Sequence, residues 1–183
     1  MTDSTIDSKP GLEARIRDAI RDIPDFPKEG ILFKDITTVL RDGPLFSEII
    51  VHLADRYRGR DLHRIVGVES RGFIFGAALA HELKVGFSMV RKAGKLPHRT
   101  LAVAYDLEYG TDTVEIHADA IDPGHRVVVV DDLLATGGTC AATLELLQKL
   151  QADVVEAAFL LELGFLDGRS RLTGHPVYSI TTY

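Results

Sequence analysis

The chain has 183 residues, of which 45% are hydrophobic and 26% are charged, and its formal net charge is −6. This composition is ordinary for a globular protein and predicts one domain with a substantial core. The acidic balance argues against a nucleic-acid partner, and the lack of an apolar run of about 20 residues argues against a membrane span.

The cysteine and histidine content argues against a disulfide-bonded protein and against a zinc-binding protein. Cys140 is the only cysteine, so no internal disulfide can form, which suits a cytoplasmic protein. The seven histidines are scattered and show no paired spacing of the kind that zinc sites use. Residues 1–10 are polar and show no signal-peptide pattern, so we expect a disordered lead-in.

The first half of the chain is predicted to contain helices and short strands. Leu12, Ile16 and Ile20 recur at helical spacing and predict a helix that ends before Pro24. Residues 24–34 are expected to be irregular, and Asp42 precedes a predicted helix. The next predicted elements are a strand at 64–68, a helix at 73–83 and a strand at 85–90.

The second half continues the alternation. Residues 91–99 are rich in basic residues, Gly and Pro, which predicts a mobile loop, while residues 101–108 and 113–117 are expected to form a two-stranded arm. The remaining predictions are strands at 127–130, 154–161 and 177–181 and a helix at 139–150. Such alternation predicts an α/β fold, a doubly wound and mostly parallel sheet with helices on both faces.

The most informative stretch of the sequence is 127–139. An unbroken run of four valines predicts a strand buried on both faces, and Asp131 and Asp132 are expected to follow its end. Glycines and hydroxyl side chains then lead into a helix, an arrangement that offers amide groups and the helix dipole to a phosphate. The predicted phosphate-binding residues are Ala135, Thr136, Gly137, Gly138 and Thr139.

The paired carboxylates suggest what accompanies the phosphate. Because carboxylates repel phosphate, Asp131 and Asp132 are expected to accept hydrogen bonds from vicinal ribose hydroxyls, which points to a ribose 5-phosphate. The alternative is that both are ordinary turn and N-cap residues. The chain lacks a P-loop lysine motif and lacks Gly-x-Gly-x-x-Gly after a strand.

Ligands of a doubly wound sheet bind at the carboxyl ends of its strands. Three segments that contain charged or hydroxyl side chains are predicted to lie at that edge. They are residues 69–72, 91–95 and 131–139.

Residues 127–139 resemble the phosphoribosyl-diphosphate (PRPP) signature of the type I phosphoribosyltransferase family, most closely its adenine-using members. Further matches follow in order at 25–27, 30–37, 69–73, 91–97 and 107–110. The resemblance implies one phosphoribosyltransferase domain over 1–183, with a hood at 24–40 and a lid loop and arm at 91–111. It also implies a homodimer.

The implied reaction is purine salvage. Adenine and PRPP would give AMP and pyrophosphate through an oxocarbenium-like transition state. Mg²⁺ would be the cofactor, held mainly by PRPP and water without direct protein ligands.

The resemblance also implies residue roles. Glu108, Asp131 and Arg71 would be catalytic, with Glu108 handling the purine proton and Tyr109 ordering the closed lid. Pyrophosphate would be bound by Glu69, Ser70, Arg71, Arg91, Lys92 and Lys95. Adenine would be bound by Leu32, Phe33 and Lys34.

The chain departs from the family pattern at a few positions. His98 and Arg99 stand where Gly-Pro is usual in the lid, and Lys34 replaces a common arginine. Two other functions stay open. One is a PRPP-sensing or nucleotide-sensing regulator on the same fold, and the other is a sister transferase for a 6-oxopurine or orotate.

Overall fold

The computed structural model describes residues 10–106 and 110–183. Its contacts divide the chain into two compact units, Met1–Ile49 and Ile50–Tyr183. None of the helices in the described part of the chain combines the length and apolar character that a membrane crossing requires.

The first unit is built around a hairpin. Helix α1 (Leu12–Ala19) is followed by strands β1 (Arg21–Pro24) and β2 (Leu32–Asp35), which pair antiparallel, and by the short helix α2 (Thr37–Leu40). The prediction of an irregular segment at 24–34 was therefore wrong at its ends, since the chain pairs on both sides of the turn. Helix α3 (Gly43–Tyr57) begins where predicted, and the Asp42 carboxylate accepts a hydrogen bond from the Leu45 amide.

The second unit contains a seven-stranded sheet of order β5-β6-β4-β3-β7-β8-β9. Strands β4, β3, β7, β8 and β9 are mutually parallel, whereas β6 is antiparallel to both β4 and β5. The strands are β3 (Arg64–Val68), β4 (Gly86–Lys92), β5 (Thr100–Asp106), β6 (Thr111–His117), β7 (Arg126–Leu134), β8 (Asp153–Glu162) and β9 (Val177–Thr182).

Helices α4 (Gly72–Leu83) and α5 (Gly138–Lys149) cover different faces of this sheet. Val66, Val127 and Val129 belong to the buried cluster that also contains the apolar face of α5. On the opposite face, Gly67 lies close enough to Gly72 of α4 that a side chain at 67 would meet its carbonyl oxygen. Two short 3₁₀ turns, Gly164–Leu166 and Gly168–Leu172, lie between β8 and β9.

The prediction of a doubly wound, mostly parallel sheet is confirmed, and the arm at β5 and β6 joins the main sheet through β4. The chain runs from β3 to β4 on one side and later returns to β7 on the other. The strand order therefore reverses between β3 and β7, and the carboxyl ends of these two strands form the expected place for a ligand.

Candidate active site

The two aspartates lie inside β7 rather than after it. The strand was predicted to end at residue 130, but it continues to Leu134 because it stays paired with β8 as far as Glu162. On its other side, β7 pairs with β3 only from Val127 to Val130. Asp131 and Asp132 therefore extend past the end of β3, at the reversal point of the sheet.

Helix α4 begins directly against this pair. A side-chain carbon at Gly72 would lie 2.6 Å from the Val130 carbonyl oxygen and 2.8 Å from Asp131 Oδ1. Glycine is required here because the helix start approaches the backbone of β7 so closely. The preceding residue, Arg71, places its Nε 3.0 Å from Asp132 Oδ2. Two of the predicted segments, 69–72 and 131–139, therefore meet.

Burial controls the electrostatics of the carboxylate pair. Burial, together with the negative charge of Asp132, raises the pKa of Asp131 well above its usual value. Burial also raises the pKa of Asp132, against the opposing effect of the Arg71 guanidinium. Two adjacent carboxylates with one cation favour groups that donate hydrogen bonds, as a sugar diol does.

The phosphate loop is shaped by a tight contact with the turn Gly168–Leu172. Gly137 has φ +80°, is the N-cap of α5 and carries no side chain that could occupy the first-turn amides. A side chain at Gly137 would collide with the Gly168 carbonyl oxygen. Glycine at 137 is thus required by loop packing and backbone conformation as well as by access for a ligand.

A small cavity of about 80 Å³ lies at this loop, and Asp131 and Phe159 are among the residues that line it. Its lining includes all five predicted phosphate-binding residues, Ala135, Thr136, Gly137, Gly138 and Thr139. The loop and the carboxylate Asp131 therefore share one concave surface, as a ribose 5-phosphate would require.

The basic segment is organised by Glu69. Its carboxylate accepts hydrogen bonds from Arg91 Nε at 3.3 Å, from Lys95 Nζ at 2.5 Å and from the Lys92 amide at 3.0 Å. Although burial raises the pKa of Glu69, these donors outweigh it and lower the value to about 2. The Glu69 amide donates to the Val90 carbonyl, so the carboxylate is the group through which Glu69 acts on the cations.

Arg91 and Lys92 do not lie in the predicted loop. They form the end of β4 and pair with Glu115 and Val114 of β6, because the arm extends the sheet past residue 90. Ser70 is exposed in the turn before α4, and Lys95 lies in the turn after β4. The segment 91–95 is thus joined to 69–72 through Glu69.

Sequence reasoning missed a hydrogen-bond chain that reaches the phosphate loop. The Lys92 ammonium forms an ion pair with Asp112 and donates to Tyr105 Oη at 2.5 Å, while among the contacts described only the backbone amide of Lys92 bonds Glu69. Thr139 Oγ1 donates to the same hydroxyl at 3.1 Å. Tyr105 alternates with apolar residues along the arm, and nothing in its sequence context indicates a partner 34 residues away.

The predicted adenine-binding residues lie on the hairpin of the first unit. Leu32 is 51% exposed, and the ring of Phe33 packs edge-on against Phe26 with centroids 5.1 Å apart. Lys34 forms an ion pair with Asp22 at 2.7 Å. Glu108 and Tyr109 lie outside the described residues.

Residues 38–176 match the phosphoribosyl transferase domain family. The chain is 58% identical to the adenine phosphoribosyltransferase of Syntrophotalea carbinolica over 168 residues, which is 92% of this chain and 98% of that protein.

Solved structures of adenine phosphoribosyltransferases are also similar to this chain. Adenine phosphoribosyltransferase from Thermoanaerobacter pseudethanolicus superposes with a TM-score of 0.91 at 53% identity, covering 94% of this chain and 100% of that one. The Saccharomyces cerevisiae enzyme, complexed with an imino-altritol bisphosphate and adenine, gives 0.87 at 43% identity, with 92% and 98% covered. The chain belongs to the adenine phosphoribosyltransferase group of the phosphoribosyltransferase family.

Removing the Tyr105 hydroxyl should weaken the contact between the arm and the phosphate loop. We expect Tyr105→Phe and Thr139→Val each to lower the free energy of unfolding by about 1 kcal/mol. Because the two groups share a hydrogen bond, the double variant should show a coupling of about 0.5 kcal/mol or more in a denaturant-unfolding cycle. Combining Tyr105→Phe with Ser88→Ala, whose hydroxyl bonds the Ala120 carbonyl, should be additive. Additivity in both cycles would contradict the link.

Glu69 should give the fold a specific sensitivity to acid. Its pKa falls from 4.5 to about 2 on folding, so its stabilisation is complete above pH 4.5 and is lost as the pH falls toward 2. The difference in free energy of unfolding between wild type and Glu69→Gln should therefore shrink over this range. Glu29→Gln, at an exposed side chain, controls for the loss of one negative charge. A pH-independent difference for Glu69→Gln would contradict the assignment.

Proposed function

We propose that the chain transfers the 5-phosphoribosyl group of PRPP to adenine, giving AMP and pyrophosphate in purine salvage. The observation that carries this proposal is the single concave surface shared by Asp131 and the loop Ala135–Thr139, at the reversal point of the sheet. The 58% identity to a relative with that name, and the adenine complex of the yeast relative, support the choice of base.

In the proposed reaction adenine N9 attacks C1 of the ribose as the C1–O bond to pyrophosphate breaks. The loop anchors the 5-phosphate, so binding energy far from C1 positions the sugar. Asp131 and Asp132 hold the ribose hydroxyls, and the carboxylate charge stabilises the oxocarbenium character at C1. Arg71, which can form a bidentate contact with oxyanions, binds the departing pyrophosphate together with Ser70.

Other site residues keep the roles that the family resemblance implies. Arg91, Lys92 and Lys95 contribute positive charge for pyrophosphate, with Glu69 holding Arg91 and Lys95 in place. Glu108 handles the purine proton, and Tyr109 orders the lid. Phe33 stacks on adenine, and Leu32 and Lys34 contact it.

Magnesium fits this set of residues as a cofactor that enters with PRPP. No group of three or more His, Cys, Asp or Glu residues in the described ranges 10–106 and 110–183 is arranged to hold a metal. Mg²⁺ normally keeps several waters and needs only one or two carboxylates beside substrate phosphates. Phosphate oxygens and water would hold it near Asp131 and Asp132, and it would neutralise the leaving group. We also propose one phosphoribosyltransferase domain over 1–183, a cytoplasmic location and a homodimer.

A nucleobase panel tests the proposed activity. Purified chain with PRPP and Mg²⁺ should form AMP from adenine and no nucleotide from hypoxanthine, guanine, xanthine or orotate. Omitting Mg²⁺ should abolish most of the rate. Turnover of a 6-oxopurine or orotate would favour the sister transferase, and PRPP binding without turnover of any base would favour a regulator.

Asp131→Asn tests the role of the carboxylate. Its loss should lower kcat/KM for PRPP by about 100-fold or more, because the amide cannot stabilise positive charge at C1. Asp61→Asn is the matched control, since Asp61 is exposed before β3 at the opposite end of the sheet. Circular dichroism of both variants should match wild type. Unchanged kcat/KM in folded Asp131→Asn would refute the role.

A further inference from the structure

The 3₁₀ turn Gly168–Leu172 packs against the phosphate loop through Gly168 and is anchored to the rest of the fold by Arg169 and Leu172. Gly168 abuts the Ala135 carbonyl, and Leu172 is buried with 2% exposure. Arg169 donates to both Glu162 oxygens, at 3.0 and 2.5 Å, and to the Val177 carbonyl at 2.8 Å. Because these anchors hold the backbone of the turn, the remaining long side chain, Arg171, starts from a fixed point beside the loop.

Arg171 differs from its neighbour Arg169. It is exposed, and it makes no ion pair or side-chain hydrogen bond with any residue in the part of the chain that the structure describes. Its Nη1 nevertheless lies 3.7 Å from the position that a Cβ on Gly138 would take. Gly138 is the first residue of α5, so a guanidinium with no carboxylate partner among residues 10–106 and 110–183 lies at the N-terminal end of this helix.

The negative charge of the expected ligand exceeds the positive charge that the loop and the helix N-terminus offer. A phosphomonoester carries a charge of about −1.5 to −2 at neutral pH, and a helix N-terminus offers the equivalent of only about +0.5. Residues 135–139 contain no cationic side chain. Three other cations near this region each pair with a carboxylate, Arg71 with Asp132, Lys92 with Asp112 and Arg169 with Glu162. The proposed function assigns Arg71 and Lys92 to the pyrophosphate end of the site.

From this placement we infer that Arg171 is a ligand of the 5-phosphate, binding the phosphoryl oxygens of PRPP and of the product AMP from the side of the 3₁₀ turn. The inference rests on the proposed function and adds a binding residue outside the sequence signature. Arg171 acts on the remote phosphate, so it contributes to anchoring the sugar and makes no contact with C1 or with the pyrophosphate end.

Calorimetric titration with two probes separates this role from a general disturbance. Ribose 5-phosphate reports the loop, and pyrophosphate reports the other end of the site. Arg171→Ala should weaken ribose 5-phosphate binding by about tenfold or more, as is typical for a hydrogen bond to a charged group, and change pyrophosphate binding less than twofold. Arg171→Lys keeps the charge but loses the planar guanidinium, so its affinity for ribose 5-phosphate should lie between those of wild type and Arg171→Ala.

Arg60→Ala is the matched control, because Arg60 is an exposed arginine before β3, at the opposite end of the sheet. It should bind both probes as wild type does. Wild-type affinity of Arg171→Ala for ribose 5-phosphate, or an equal loss for both probes, would overturn the inference. If the wild-type protein forms AMP and Arg171→Ala binds ribose 5-phosphate normally, only the role of Arg171 is refuted. If the wild-type protein binds neither probe and forms no AMP, the proposed function itself is refuted.

Discussion

The contact between Arg71 and Asp132 is the interaction on which the site depends. Asp132 is only 4% exposed, and a carboxylate at that depth is costly unless a cation or hydrogen-bond donors accompany it. Arg71 can supply the cation because it precedes α4, and α4 can start there because Gly72 tolerates the backbone of β7. The end of β3, the start of α4 and the extension of β7 are therefore one mutually dependent arrangement.

Other cations of the site are also paired with carboxylates of the protein. Glu69 holds Arg91 and Lys95, and Asp112 holds Lys92. Long basic side chains lose considerable conformational entropy when they are fixed on a ligand, and partners that fix them beforehand reduce that loss. Glu69 faces two cationic side chains with one negative charge, so the cluster keeps a surplus of positive charge for an anion.

The valine run at 127–130 predicted its strand because a fully buried strand leaves a continuous apolar signal. The phosphate loop was predictable for a similar reason, since its glycines, hydroxyls and helix start are contiguous in the sequence. The end of β7 was not predictable from the sequence, because it depends on how far β8 continues to pair with it. In addition, the polar residues 131 and 132 resemble the start of a loop. The pairing of β1 with β2 was missed because both strands have only four residues.

The groups that complete the phosphate loop come from elements that no local pattern connects to it. The loop itself has only small side chains, since its amides must approach a ligand and its backbone must pack on Gly168. The loop contains hydroxyls but no cationic side chain, so a cation beside it must come from elsewhere in the chain, and the fold brings Arg171 from the 3₁₀ turn, and the Tyr105 hydroxyl from β5, to the first turn of α5. A signature of this kind identifies the class of ligand, while the side chains that surround the loop are determined by tertiary packing.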